Sequence, residues 1–395
     1  MRKLLTFIFL LSFVNLIAEE KKIEYNFYGF VGNDFFLNTR KSLESTDGIV
    51  FLLPMPVEKD VLGKDINSYL HGEMLSINTR LGVDIKGNKI LNANTYAKIE
   101  ADFAGVGATF YLLRIRRAFV SMKWQHSSLV IGQDWHPLSS SLMPAIVNAN
   151  GAAPFQAFNR SPQLNYKHHL GKYSQLNLAA IYQMQYVSDG PQGRSNIYMK
   201  NSVLPNLYFS LERNKKSWKY GLAADYKLLK PRITSSNPET YKVSEHVSSL
   251  SYMSYVSYNK KKWSVKAKSI YGENLNDMLM IGGYAVTARD TQTGEQSYEA
   301  FKSLTSWLNI EYGEKWKYAL FLGHTKNLGL NTEILDEVYD SWGYFSNKKI
   351  DNAFKLSPQV SYQMDKWKLS LEYDYTKSYY GEIPNKELAT NIEEA

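Results

Sequence analysis

Apolar and polar residues alternate along this chain in segment after segment. In LSINTRLGVDI, Leu75, Ile77, Thr79, Leu81, Val83 and Ile85 fall on one face, and Ser76, Asn78, Arg80, Gly82 and Asp84 on the other. SQLNLAAIYQMQY, WKYGLAADYKL, WSVKAKSIY, WKYALFLG and WKLSLEYDY repeat the pattern. A period of two sends successive side chains to opposite faces of a strand. The residues involved are the β-formers Val, Ile, Tyr, Thr and Trp, and helical spacing fits none of these segments. Fifteen segments read this way, at about 25–37, 74–85, 93–103, 110–123, 128–134, 160–169, 174–187, 203–213, 218–229, 247–258, 263–272, 303–312, 316–324, 354–364 and 367–378.

The connections alternate between short and long. Short ones lie near Gly87, Trp124 and Gly171 and at 214–217, 259–262, 313–315 and 365–366. Long ones run over about 38–73, 104–109, 135–159, 188–202, 230–246, 273–302 and 325–353. Turns that are tight at one end of a meander and long at the other predict an all-β fold, a transmembrane antiparallel β-barrel with lipid outside and a polar lumen. A sandwich would mix loop lengths at both ends and bury its apolar face in one core. Single-chain bacterial barrels carry an even number of strands, so sixteen are expected. The polar run YGEIPNKELATNIEEA reads as an external loop, which places the last strand beyond Ala395.

The first residues, MRKLLTFIFLLSFVNLIAEE, join two cations, a short apolar run and the small Ala18, the layout of a signal peptide over 1–18. Residues 19–395 are then the barrel. Loss of Arg2 and Lys3 lowers the net charge from +8 to +6, which is mildly basic, and export excludes nucleic-acid partners. The chain has no Cys, so disulfide and thiol chemistry are absent. Aromatic residues make up 14%, with 29 Tyr and 8 Trp, at a mean hydropathy of −0.36. That combination suits a barrel, in which only alternate residues meet lipid and aromatic girdles mark both interfaces.

The girdle has a sequence signature. NKKKW at 259–263 recurs as NKKSW, GEKW, DKW and, with Tyr for Trp, GKY. Tyr173, Trp218, Trp263, Trp316 and Trp367 each start the strand that leaves a short turn, with lysines just beyond in the headgroup zone.

Charge inside the wall is concentrated in LLRIRRAFV and YAKIEADF. Arg114 and Arg116 share the polar face, opposite Leu113, Ile115 and Phe119, while Arg117 takes the outward parity and suits a subunit contact. Arginine on the lipid face costs about 2 to 4 kcal/mol at mid-bilayer, which enforces the parity. Arg80, Lys98, Glu100 and Asp102 also fall on the polar face. Opposed cations and carboxylates sort solutes by charge; the bland reading is that they merely pair with one another. The connection 135–159 carries small and apolar residues and no charge after its opening HP, and is expected to fold inward as a constriction loop, with an external or subunit-contacting loop as the alternative. Arg160 closes the pore-lining set, although it shares parity with Leu164 and Tyr166 and would point outward unless Pro162 resets the strand.

Asp134, His136 and Ser139 to Ser141 are the one imaginable nucleophile cluster, and no third orienting group accompanies them. No phosphate loop or zinc spacing is present. Neither enzyme activity nor a metal or cofactor is expected.

FYGFVGNDFFLNTRKSLES, LGVDIKGN, AKIEADFAG, LLRIRRAFVSMKW, VIGQDWHPL, GAAPFQAFNRSPQ and YQMQYVSDGP together resemble the DcaP-like trimeric outer-membrane porins of the Bacteroidetes type, from about residue 25 onward and most specifically over 96–190. The resemblance implies a sixteen-stranded homotrimeric barrel in the bacterial outer membrane, surrounded by its lipid, that passes small anions such as dicarboxylates. It also implies the inward placement of loop 135–159. Two other readings stand beside it: a secreted or surface β-protein stacking glycans on its tyrosines, and a barrel-anchored adhesin or enzyme displaying loops such as ENLNDMLMIGGYAVTARDTQTGEQSYEA.

Overall fold

The computed structural model describes residues 23–45, 50–105, 112–148, 151–236, 239–345, 348–382 and 390–394. The expected signal peptide lies outside them. Sixteen wall strands follow one another as antiparallel neighbours among the described residues, the last of them short. They are β1 (Glu24–Phe30), β2 (Arg80–Lys86), β3 (Asn94–Gly105), β4 (Leu112–Lys123), β5 (Ser127–Trp135), β6 (Arg160–Leu170), β7 (Ser174–Ile181) and β8 (Asn206–Lys215). The second half comprises β9 (Trp218–Leu229), β10 (Val247–Lys260), β11 (Trp263–Glu273), β12 (Lys302–Gly313), β13 (Trp316–Gly329) and β14 (Lys348–Met364). β15 comes in two pieces, Trp367–Glu372 and Tyr375–Glu382, and β16 is Thr390–Glu394.

Register follows chain order throughout, from Glu24↔Lys86 between β1 and β2 to Tyr379↔Glu394 between β15 and β16. The polar tail is therefore not all loop: Thr390–Glu394 pairs with β15 as a sixteenth strand, which corrects the expectation of that strand beyond Ala395. The first expected strand is interrupted at 31–33 and resumes as Asp34–Asn38 paired with His71–Leu75.

Burial explains why alternation made these strands. Along β10, Val247, Ser249, Ser251, Met253, Tyr255 and Ser257 are buried while Tyr252 and Val256 are exposed. The outer face carries Leu, Val, Phe and Tyr, and the inner face Ser, Asn, Lys and Asp. That is the reverse of a water-soluble sheet and fits a wall that meets hydrocarbon. The short turns share one device. Gly171, Lys216, Lys261 and Asp365, each two residues before the aromatic that opens the next strand, hold a positive φ, as tight strand-to-strand turns require. The NKKxW repeat is thus a turn motif.

Hydrophobic packing lies inside the wall, where loops fold back. Leu138, Phe155, Met278, Leu279 and Ile281 are all buried in one cluster. Beyond the wall, Tyr284–Arg289, Gln296–Ala300 and Val338–Tyr339 form a small separate sheet from two long loops.

Candidate functional site: the charged inner wall

Four strands bring the expected charges together. The ladder between β3 and β4 shifts at Glu100 and Ala101: Ala101 faces Ile115 and Glu100 faces Arg117, so Arg116 has no partner of its own. An extra residue in one strand is a β-bulge, and it inverts the parity of the residues beyond it. Arg117 consequently turns inward, with Nε 2.6 Å from Asp134 Oδ1 and its guanidinium over the Phe119 ring. Phe119 is itself buried and packs on Tyr96. The outward placement expected of Arg117 and Phe119 is thereby corrected. Simple alternation cannot see a bulge, because the bulge is a property of two strands in register.

The remaining charges interlock. Arg114 donates through Nε and Nη2 to the two carboxylate oxygens of Asp102, at 3.0 and 2.8 Å. Arg116 bridges, with Nη1 2.8 Å from Asp102 Oδ2 and Nε 2.9 Å from Glu100 Oε1. Glu100 also accepts from the Tyr28 hydroxyl at 3.0 Å and lies 4.0 Å from Arg80 Nε, whose guanidinium stacks on Phe30. Lys98 Nζ reaches Asp84 at 2.6 Å and Tyr28 at 2.8 Å. The pairing that the sequence left open as the bland reading is present in full. It sets five cations, Arg80, Lys98, Arg114, Arg116 and Arg117, against four carboxylates, Asp84, Glu100, Asp102 and Asp134, an excess of one.

Arg160 differs. It is 0% exposed, whereas Leu164 on the same parity is 53% exposed. Its guanidinium stacks on Trp135, Phe158 and Tyr186 at 4.7, 5.2 and 5.6 Å, and Nη2 donates to the Tyr186 hydroxyl at 2.8 Å. It shares parity with Leu164 but does not meet lipid: its guanidinium lies against Phe158 and Tyr186, members of the interior cluster that come from beyond the strand ends. Among the described residues no carboxylate lies within ion-pair distance, and Nε and Nη1 have no hydrogen-bond partner. Phe158 and Tyr186 also line a hollow of about 590 Å³ together with Asp102, Arg114, Arg116 and Arg194.

The chain from 136 to 159 starts with a short helix, α1 (Pro137–Ser140). His136 caps it, its Nδ1 accepting from the Leu138 N–H, and burial pushes the imidazole down to about 3, which keeps it neutral. From there the loop reaches the far wall. Lys268 Nζ of β11 donates to Leu138 O, Leu142 O and Gln156 Oε1 at 2.5, 3.2 and 3.2 Å. Trp307 Nε1 of β12 donates to Gln156 Oε1 at 2.9 Å. Asn309 Oδ1 accepts from Ala145 N, Gln359 donates to Ala145 O, and Glu372 accepts from Val147 N. The imagined nucleophile cluster is dispersed by these contacts: Asp134 pairs with Arg117, and Ser139 Oγ accepts from Asn159 N.

Alternation gives no sign of a second infolded segment. Leu275 to Ile281, the first part of a loop expected to be external, is buried throughout. Phe158 N donates to Met278 O, Asn159 Nδ2 to Asp277 O, and Lys227 Nζ lies 2.6 Å from Asp277 Oδ1. The signal that could have found it is the apolar run MLMI between wall strands, where a solvated loop would be polar.

The aromatics at the short-turn end are exposed, from 37% at Tyr173 to 70% at Trp367. Three of them pair across to the next hairpin in one geometry: Trp218–Tyr258, Trp263–Tyr312 and Trp316–Tyr362, with centroids 4.7, 4.6 and 4.6 Å apart. Lys172 and Lys215 both lie 5.4 Å from the Tyr173 ring centroid.

Among the described residues no group of three His, Cys, Asp or Glu could hold a metal ion, and no helix is long and apolar enough to cross a membrane. No family model matches the chain, and no curated protein matches it. Solved structures do. The outer membrane channel DcaP of Acinetobacter baumannii superposes with a TM-score of 0.65 at 15% identity, covering 95% of this chain and 96% of that one. OmpF of Salmonella typhi, in complex with daunomycin, gives 0.53 at 11%, covering 94% and 95%. The trimer form of OmpT, an outer membrane protein of Vibrio cholerae, gives 0.52 at 10%, covering 95% and 97%. With alternation, loop lengths, an apolar exterior and these neighbours in agreement, the chain has the fold of an outer-membrane porin, the antiparallel transmembrane β-barrel seen in DcaP.

Proposed function

We propose that the protein is a passive channel of the bacterial outer membrane, exported by residues 1–18, assembled as a homotrimer and without catalytic activity, through which small anions such as dicarboxylates diffuse. The observation that carries the reading is a polar, charged interior crossed by a loop inside a lipid-facing wall, an arrangement suited to letting solutes pass selectively. Loop 136–159 is the constriction. Arg80, Lys98, Arg114 and Arg116 against Glu100 and Asp102 supply a transverse field at short range. The net preference comes from cations without carboxylate partners: the single excess in the paired lattice, together with Arg160 and Lys167, neither of which has an ion pair among the described residues. Tyr173, Trp218, Trp263, Trp316 and Trp367 serve as the interfacial girdle.

The test is electrical. Purified protein in a planar bilayer with a salt gradient is expected to give stepwise conductance with an anion-biased reversal potential. A cation-biased potential would overturn the selectivity, and absence of steps the channel itself.

A further inference from the structure

Among the described residues the outer wall carries a large hollow. Between β7 and β12 a groove of about 1060 Å³ opens on the lipid side, almost wholly apolar, with Phe209, Leu211, Leu222 and Val256 among its exposed lining. Its floor is low because Ser254, Ser269 and Ser306 lie in register across β10, β11 and β12, where neighbouring rows carry Tyr252, Tyr271 and Leu304. Two of the three floor hydroxyls satisfy each other: those of Ser269 and Ser306 bond at 2.8 Å. A second hollow of about 390 Å³, lined by Leu164, Leu178 and Leu207, adjoins the first across Phe209.

At the short-turn end the groove meets Arg213. This residue shares the outward parity of Leu207, Phe209 and Leu211, is exposed, and has no hydrogen-bond or ion-pair partner among the described residues. Its sequence neighbour Glu212 points to the lumen side and pairs with Lys219 at 2.9 Å. Lys172 and Lys215 stand over Tyr173 at the adjoining turn. An uncompensated guanidinium at headgroup level, above two apolar troughs divided by one phenyl ridge, is complementary to a diacyl lipid with an anionic head.

The geometry points to a binding site for one anionic phospholipid of the leaflet at the short-turn end, its phosphate on Arg213, one acyl chain in the groove toward Ser306 and the other beside Leu178 and Leu207. The dimensions agree. From Ser174 to Ser306 the groove crosses five strand spacings of about 4.8 Å, roughly 24 Å. Half a hydrocarbon core is about 15 Å, or roughly 21 Å along a path inclined by about 45°. A second copy of the barrel would present a convex wall, which leaves such a trough unfilled. The inference rests on the barrel spanning a bilayer and is independent of what the pore conducts.

The experiment is native mass spectrometry of delipidated protein in detergent, titrated separately with dioleoyl-phosphatidylglycerol and with dioleoyl-phosphatidylcholine. The wild type is expected to retain one phosphatidylglycerol per chain in preference to the neutral lipid. Arg213→Glu should weaken phosphatidylglycerol by at least about fivefold and phosphatidylcholine little, since a basic side chain near the surface contributes about 1 kcal/mol toward anionic lipid. Ala267→Phe, which fills the groove without touching the charge, should weaken both lipids, whereas Ile99→Leu on the far wall should weaken neither. Heat-modifiable gel migration identifies any variant that has not folded. Equal retention of phosphatidylglycerol by wild type, Arg213→Glu and Ala267→Phe overturns the proposal. So does loss of oligomer in Ala267→Phe with lipid retention unchanged, which would assign the groove to a second copy.

Discussion

Asp102 accepts from two guanidiniums while only 1% exposed. Replacing it with Asn leaves Arg114 and Arg116 short of a counter-charge inside the wall, and breaking a buried pair this way costs about 3 to 5 kcal/mol. Asp102→Asn is therefore expected to lower the midpoint of urea unfolding in detergent or vesicles. In any fraction that folds, the lumen gains one positive charge and the reversal potential moves toward the anion limit. Arg160 makes the opposite experiment. Arg160→Met retains most of the packing against Trp135 and Phe158 and removes a cation with no carboxylate, so anion bias should fall with little change in gel migration. The chemistry of Arg114 and Arg116 was legible in the sequence, because alternation and lipid cost together force them inward. That of Arg117 and Arg160 was not. One depends on a bulge defined only by the register of β3 with β4, the other on an aromatic cover from beyond its strand.

At the scale of elements, the wall was readable because each strand carries its own two-residue period and each short turn its own repeat. The interior loops carry no such period, and their courses are set by distant partners. Lys268 is the principal peg for the constriction, holding four loop acceptors at once. Lys268→Met should release residues 138–156 and appear as larger, noisier single-channel steps; steps unchanged in size and noise would mean that the loop is held elsewhere. Segment 275–281 is hard to place from sequence because it sits in a long connection, although its apolar run already argues against solvent. Trp263→Ala removes the pair with Tyr312, and aromatic pairs add about 0.5 to 1.5 kcal/mol beyond area burial. A drop of at least that size in unfolding free energy, without loss of conductance, is expected.

Across the whole molecule, stability divides between a wall and the loops it carries, and acid should separate the two. Burial would raise the carboxyl of Asp65, but the Arg40 guanidinium and the N–H groups of Glu58 and Asn67 hold it below its ordinary 3.8. Glu299 is likewise held below 4.5, its partial burial outweighed by Thr332 and Asn331. For a depressed carboxyl the stabilisation is complete above the ordinary value and lost as pH falls through the folded one. Limited proteolysis at pH values stepped downward from 4.5 should therefore begin to cut within the loop residues 56–70, 290–301 and 330–335 while the wall keeps its folded gel mobility. Cutting that is independent of pH would show that these pairs do not hold the loops.

The three stacked Trp–Tyr pairs give the protein a built-in optical ruler. Trp218, Trp263 and Trp316 lie half-exposed at one level of the wall, whereas Trp307 and Trp342 are 4% and 6% exposed inside it. Brominated lipids that quench at headgroup depth should extinguish one emitting population and leave the other, so a single fluorescence decay would report how deep the barrel sits in any bilayer it enters.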